Sequence, residues 1–206
     1  MKPVSEKNLA ARLDQLNERI ASACRASGRS SEAITLIGIS KTKPAEDVAA
    51  AHALGLKNLG ENYLQEASGK IDALEGLAAT WHYVGNIQSN KTKEVAKYFD
   101  WVHTVDRNKI AQRLNAQCPT DKTIQVLIQV NIDEDPNKGG CSPRETLHLA
   151  QQMMLLPRIQ IRGLMTILSK DSMPRDSYES VAQLFTAIAA KLPADQQRCW
   201  DTLSMG

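Results

Sequence analysis

The chain begins with a helical pattern of apolar positions that ends within thirty residues. Apolar side chains recur there at intervals of three and four: Leu9, Leu13, Leu16, Ile20 and Cys24. This spacing predicts an amphipathic helix over about residues 5–25, with one apolar face. Gly28 follows and is expected to end that helix.

A second pattern then repeats to the end of the chain. Short apolar segments, many rich in β-branched residues, alternate with helical stretches; the segments are residues 36–40, 58–62, 81–85, 101–105, 126–131, 161–167 and 200–204. Such alternation predicts an α/β fold with a parallel sheet covered by helices. A doubly wound sheet and a (β/α)8 TIM-type barrel both satisfy it. The strand count and the lack of a dinucleotide-binding motif favour the barrel.

The chain also carries signals for domain organisation and helix starts. No linker or composition break interrupts the alternation, so a single domain over residues 1–206 is expected. Ser142 and Glu145 form a capping box, with Pro143 at the first helical position. Asp176 or Ser177 is expected to cap a later helix.

Composition and charge exclude several classes of function. Lys+Arg 25 against Asp+Glu 23 gives a net charge of +2, and Trp 3, Tyr 4 and Phe 2 leave few aromatic rings. Both features argue against a nucleic-acid partner. The sequence has neither an apolar run of membrane-spanning length nor a signal peptide, which predicts a cytoplasmic protein with no membrane partner. The 4 cysteines lack zinc-ligand spacing, and no cluster joins the 4 histidines to cysteines or carboxylates, so no metal site is expected.

Candidate chemistry lies where the predicted strands end, because barrel enzymes carry their sites there. Lys41 follows the first strand, and Asn62 ends the second. A desolvated lysine presents the neutral amine that attack on a carbonyl requires, although a solvated lysine at the start of a loop is the other interpretation. Lys43 is expected to be the more solvent-facing of the two lysines.

Two further segments are weaker candidates. His82 and His103 lie within strands, where hydrogen-bonded core histidines are more usual than ligands. Residues 204–206 (Ser-Met-Gly) resemble a small-residue turn of the kind that binds phosphate.

Several motifs in order resemble those of the pyridoxal phosphate homeostasis protein family. They include residues 39–44 (Ile-Ser-Lys-Thr-Lys-Pro), 60–66 (Gly-Glu-Asn-Tyr-Leu-Gln-Glu), 81–91, 103–106, 129–132, Lys138 with Gly140, 162–165 and 203–206 (Leu-Ser-Met-Gly). The resemblance covers nearly the whole chain. It implies a barrel of the alanine-racemase N-terminal kind (PLP fold type III) that binds pyridoxal 5′-phosphate (PLP).

The resemblance also implies which residues hold the cofactor. PLP would form a covalent internal aldimine with Lys41, the amide of Asn62 would lie beside it, and Ser204 and Gly206 would bind its phosphate. The full cofactor-binding set is Lys41, Asn62, His82, Ser204, Met205 and Gly206. No catalytic residue is assigned.

The family's role implies a protein that buffers PLP and delivers it to client apoenzymes in vitamin B6 and amino-acid homeostasis, without established catalysis. Related racemases add a β-domain that completes their active site. An amino-acid racemase or related PLP enzyme is the alternative, and a Schiff-base aldolase-like barrel that never binds PLP is a third hypothesis. A monomer is expected. Relatives continue through a further helix and strand, so the last helix–strand unit is expected to be missing from this chain.

Overall fold

A computed structural model describes residues 6–170 and 172–205. Seven strands and eight α-helices lie in these ranges: α1 (Glu6–Ser27), β1 (Ile37–Ile39), α2 (Ala45–Ala53), β2 (Asn58–Glu61), α3 (Leu64–Ala73), β3 (Thr80–Tyr83), α4 (Thr92–Tyr98), β4 (Trp101–Val105), α5 (Asn108–Gln117), β5 (Ile124–Gln129), α6 (Pro143–Met153), β6 (Ile159–Thr166), α7 (Pro174–Ala189), α8 (Ala194–Gln197) and β7 (Thr202–Met205). All seven predicted strands are confirmed. The chain divides into two compact units, one ending at Trp81 and the other beginning at His82.

The first unit contains α1 to α3 and the parallel pair β1 and β2. The helix predicted near the start is confirmed over its described residues, and Gly28 ends it with a φ of +66°. Ile37 pairs with Asn58, and Ile39 pairs with Gly60. This register brings the carboxyl ends of β1 and β2 to the same edge.

The second unit is built on four parallel strand pairs, from β3 with β4 to β6 with β7. Its core lies along β4, β5 and β6 and is mainly aliphatic; fully buried side chains include Val102, Val105, Val126, Leu127, Ile128 and Leu164. Strands buried on both faces need apolar side chains at successive positions, which is why these segments were recognisable in the sequence.

Gly163 allows β6 to lie very close to β7. Its φ is +146°, and a Cβ placed on it would come within 2.0 Å of the Thr202 carbonyl oxygen. Only glycine fits such a backbone conformation and approach without displacing a strand.

Of two predicted helix starts, one agrees with the structure and the other does not. The Glu145 carboxylate accepts the Ser142 N–H at 3.1 Å and the Ser142 hydroxyl at 2.6 Å, so the predicted start of α6 is confirmed. The expectation for Asp176 or Ser177 was wrong: α7 begins at Pro174, one turn earlier. Proline already has the φ angle of a first helical turn.

Two findings concern the described residues of both units. None of the helices in residues 6–170 and 172–205 is long and apolar enough to cross a membrane. Over the same residues, no group of three His, Cys, Asp or Glu side chains is arranged to hold a metal ion. The prediction of a single domain stays a prediction.

Candidate functional site

Lys41 lies at the tip of a tight turn that follows β1. The Lys43 N–H donates to the Ser40 carbonyl oxygen at 3.0 Å and closes this turn, which we call the Lys41 turn (residues 40–43). Lys41 is exposed, whereas Lys43 is half-buried. The expectation that Lys43 would face solvent more than Lys41 was therefore wrong, because Lys43 lies where the chain returns towards α2.

A buried ionic network holds the Lys41 turn. The Lys70 ammonium on α3 donates to Glu61 Oε1 at 2.5 Å, to Glu66 Oε1 at 3.0 Å and to the Ser40 carbonyl oxygen at 2.7 Å. Glu61 also accepts the Ser40 hydroxyl at 2.5 Å, and Glu66 accepts the Thr42 N–H at 2.5 Å. We call Glu61, Glu66 and Lys70 the Lys70 cluster.

Because Glu61 and Lys70 of the Lys70 cluster are buried, their charges need partners of opposite charge. The side chain of Glu61 is 0% exposed and that of Lys70 only 5%. An ammonium has three N–H donors, and Lys70 has an acceptor for each of them. Glu61 Oε2 is buried and has no hydrogen-bond partner among the described residues. Two carboxylates therefore lie against one cation directly beneath the turn that carries Lys41.

Sequence reasoning missed the role of this cluster. Glu61 and Glu66 were quoted only as letters of a motif, and Lys70 was not singled out. Two signals were available: a glutamate at the end of a predicted strand, and the i, i+4 spacing of Glu66 and Lys70 on one helix.

Asn62 lies at the same edge of the first unit as Lys41. Both residues stand two positions beyond the paired residues Ile39 and Gly60. The Asn62 Oδ1 atom is buried and has no hydrogen-bond partner within the described ranges. A buried polar atom without a partner costs free energy, so this amide is available to a ligand.

A chain of hydrogen bonds in the second unit joins two predicted site residues through a third. His82 Nδ1 lies 2.9 Å from His103 Nε2, and His103 Nδ1 lies 2.9 Å from Ser204 Oγ. His82 also stacks on Trp101, with 5.7 Å between the ring centroids. The structure thus brings His82 and Ser204 together, with His103 between them.

Burial keeps both imidazoles neutral near pH 7. Desolvation lowers the pKa of His82 to about 4, although the nearby Asp100 carboxylate acts in the opposite direction. Desolvation, and secondly the neighbouring His82, lowers the pKa of His103 to about 3. Each neutral ring has one N–H and one acceptor nitrogen. In both hydrogen bonds the donor therefore lies on the same side, so donation runs either from His82 towards Ser204 or from Ser204 towards His82.

The two remaining predicted residues follow Ser204. Met205 pairs with Thr166 at the end of β7, and its side chain is 43% exposed. Gly206 lies outside the described residues.

Known proteins similar to this chain point to one family. Residues 11–206 match the family model for the alanine racemase N-terminal domain. The pyridoxal phosphate homeostasis protein of Pseudomonas aeruginosa is 44% identical over 200 residues, which is 96% of this chain and 84% of that protein. The Escherichia coli K12 protein of the same name is 41% identical over 203 residues, 97% of this chain and 86% of that one.

The chain belongs to the pyridoxal phosphate homeostasis protein family.

Solved structures agree with this assignment. An unknown protein from Bifidobacterium adolescentis superposes with a TM-score of 0.86 at 26% identity, covering 100% of this chain and 89% of that one. PipY of Synechococcus elongatus, in a structure without PLP, gives 0.75 at 34% identity, with 92% and 88% covered. PipY with PLP bound gives 0.70 at 26% identity, with 92% and 95% covered. The predicted α/β class, a TIM-type barrel of the alanine-racemase N-terminal kind, is confirmed.

Proposed function

We propose that this chain binds PLP through a Schiff base on Lys41 and acts as a reserve of the cofactor, without catalytic turnover. One observation carries the proposal: an exposed lysine amine lies on a turn whose Ser40 is held by buried hydrogen bonds, at the same strand edge as the buried, unpartnered Oδ1 atom of Asn62. The names of the curated relatives and the PipY structure with PLP bound support it.

Each residue in the proposal has a role that suits its chemistry. PLP would supply an aldehyde that reacts reversibly with amines, and Lys41 would hold it by a C=N bond that replaces the aldehyde C=O with release of one water. Asn62 provides a polar contact beside it. In this role PLP would be held and released rather than used.

Ser204, Met205 and Gly206 would bind the phosphate; this assignment depends on the motif that they form. His82 acts through His103. When His103 carries its proton on Nδ1, that N–H donates to Ser204 Oγ and leaves the Ser204 O–H to donate to a phosphate oxygen. His103 Nε2 then accepts from the Nδ1–H of His82. Donation from His82 towards Ser204 is therefore the arrangement that leaves a hydroxyl donor for an anion.

A visible spectrum of the purified protein with and without added PLP tests the proposal. A Schiff-base band that borohydride bleaches is expected in the wild type, absent in Lys41→Ala and retained in the matched control Lys43→Ala. A band of unchanged intensity in Lys41→Ala would show that another amine binds the cofactor.

The alternative is an amino-acid racemase or related PLP enzyme, which the name of the family model favours. Incubating the PLP-loaded protein with each common L-amino acid, and measuring D-amino acid and carbon dioxide, separates the two. We expect no sustained formation of either product. Many turnovers per protein would establish the enzyme instead.

The proposal extends to a cytoplasmic monomer that passes PLP to client apoenzymes. Size-exclusion chromatography with light scattering measures the first property. Reactivation of an apo-aminotransferase by the PLP-loaded protein, in the presence of a phosphatase that destroys free PLP, measures the second.

A further inference from the structure

The backbone on both sides of Lys41 is tied to the Lys70 cluster. Before Lys41, the Ser40 carbonyl oxygen accepts from Lys70 and the Ser40 hydroxyl donates to Glu61. After it, the Thr42 N–H donates to Glu66. No hydrogen bond or ion pair of the described residues involves the Lys41 side chain itself.

Thr42 shows that this attachment shapes the turn. Its φ is +64°, in the left-handed region that β-branched residues rarely adopt. Such a conformation persists where surrounding contacts hold it. The Thr42 N–H bond to a carboxylate oxygen is a charge-assisted contact of this kind.

The Lys70 cluster is itself fixed from two elements. Glu61 ends β2, whereas Glu66 and Lys70 lie one turn apart on α3. Lys70 is held by all three of its acceptors and is nearly excluded from water. Ser40 is therefore attached to the buried pair Glu61 and Lys70, and Thr42 to a partly exposed Glu66 that Lys70 contacts at 3.0 Å.

We infer that Glu66 and Lys70 are positioning residues for Lys41: they hold residues 40 and 42 so that the Lys41 amine is presented at the end of β1. This inference rests on the proposed function, because it assigns Lys41 the reaction with the PLP aldehyde. Preorganising an amine in this way raises its rate of attack on a carbonyl.

Glu66→Ala tests the inference, with Glu66→Gln as the conservative variant. Glutamine keeps an oxygen that can accept from Thr42, whereas alanine removes it. After mixing with PLP, the Schiff-base band is expected to form about tenfold more slowly in Glu66→Ala, equivalent to about 1.4 kcal/mol. Glu66→Gln should lie between Glu66→Ala and the wild type, because it keeps the acceptor and loses its charge, and the exposed control Glu75→Ala should stay within about twofold of the wild type.

Amide hydrogen exchange in the PLP-free protein gives a second readout. The Thr42 N–H should exchange about tenfold faster in Glu66→Ala, again about 1.4 kcal/mol, while core amides of β5 keep their wild-type rates. A general loss of structure would accelerate both, so this pattern is specific to the turn.

The outcomes separate the two proposals. If the wild type forms no band, the proposed function is wrong and the inference falls with it. If the wild type forms a band and Glu66→Ala forms it equally fast, only the inference is overturned. Equal Thr42 exchange in the wild type and Glu66→Ala also overturns it, whatever PLP does.

Discussion

The buried pair His82 and His103 should make the protein sensitive to mild acid. An unfolded histidine takes up a proton near its ordinary pKa of about 6.5, whereas the folded pair has pKa values of about 4 and about 3. Below about pH 6.5, the unfolded chain binds protons that the folded chain does not, so stability falls as pH falls. The loss continues until the pH reaches the folded values.

The size of this effect follows from linkage. Each histidine contributes a slope of about 1.4 kcal/mol per pH unit between its unfolded and folded pKa. Lowering the pH from about 7.5 to about 4.5 therefore removes roughly 5 kcal/mol from the free energy of unfolding for the pair together. Domains of this kind are stable by about 5–15 kcal/mol, so the loss is a substantial share.

Urea unfolding at a series of pH values, followed by circular dichroism, measures the loss directly. In His103→Gln one of the two titrating groups is gone, and we expect the decline to shrink by about 2.5 kcal/mol, roughly half. His148→Gln is the matched control, since His148 is exposed. An equal decline in the wild type and His103→Gln would refute the reasoning, because the buried pair would then contribute nothing to acid sensitivity.

Two further predictions concern stability. Lys70→Met leaves the buried Glu61 carboxylate without its cation and should lower the free energy of unfolding by about 3–5 kcal/mol. The exposed control Lys109→Met should change that free energy little. Equal free energies for the two variants in urea unfolding would contradict the role of the Lys70–Glu61 pair. Gly163→Ala forces a Cβ against the backbone of β7 and should cost about 1–3 kcal/mol, whereas Gly69→Ala, with open space within α3, should stabilise by up to about 1 kcal/mol. A Gly163→Ala midpoint at or above that of Gly69→Ala in thermal unfolding would count against the close approach.

The central strands β4, β5 and β6 were predictable because most of their residues are buried. Residues 101–105 were expected as a strand and form β4 over the same residues. The helix ending before Gly28 was equally clear, since its apolar spacing and its terminating glycine are both local. The start of α7 was not, because Pro174 outweighed the polar side chains that follow it.

The candidate site was predictable only in part. Lys41 and Asn62 were identified through their positions after strands and their motifs. The pairing of Lys70 with Glu61 joins a helix to a strand end, and no local pattern shows which way the helix faces. The positive φ of Thr42 is unfavourable for a β-branched residue, so this backbone conformation could not be predicted from the sequence.

Lys70 also has a consequence for chemical selectivity. A reactive aldehyde modifies lysines through the nitrogen lone pair, and a fully hydrogen-bonded ammonium shielded from water has no lone pair to offer. An excess of aldehyde should therefore leave Lys70 unmodified, although Lys70 lies beneath the turn that carries the proposed reactive amine of Lys41. Mapping adducts by peptide mass spectrometry after borohydride reduction would then find Lys41 labelled early, exposed lysines labelled later and Lys70 spared until the protein unfolds.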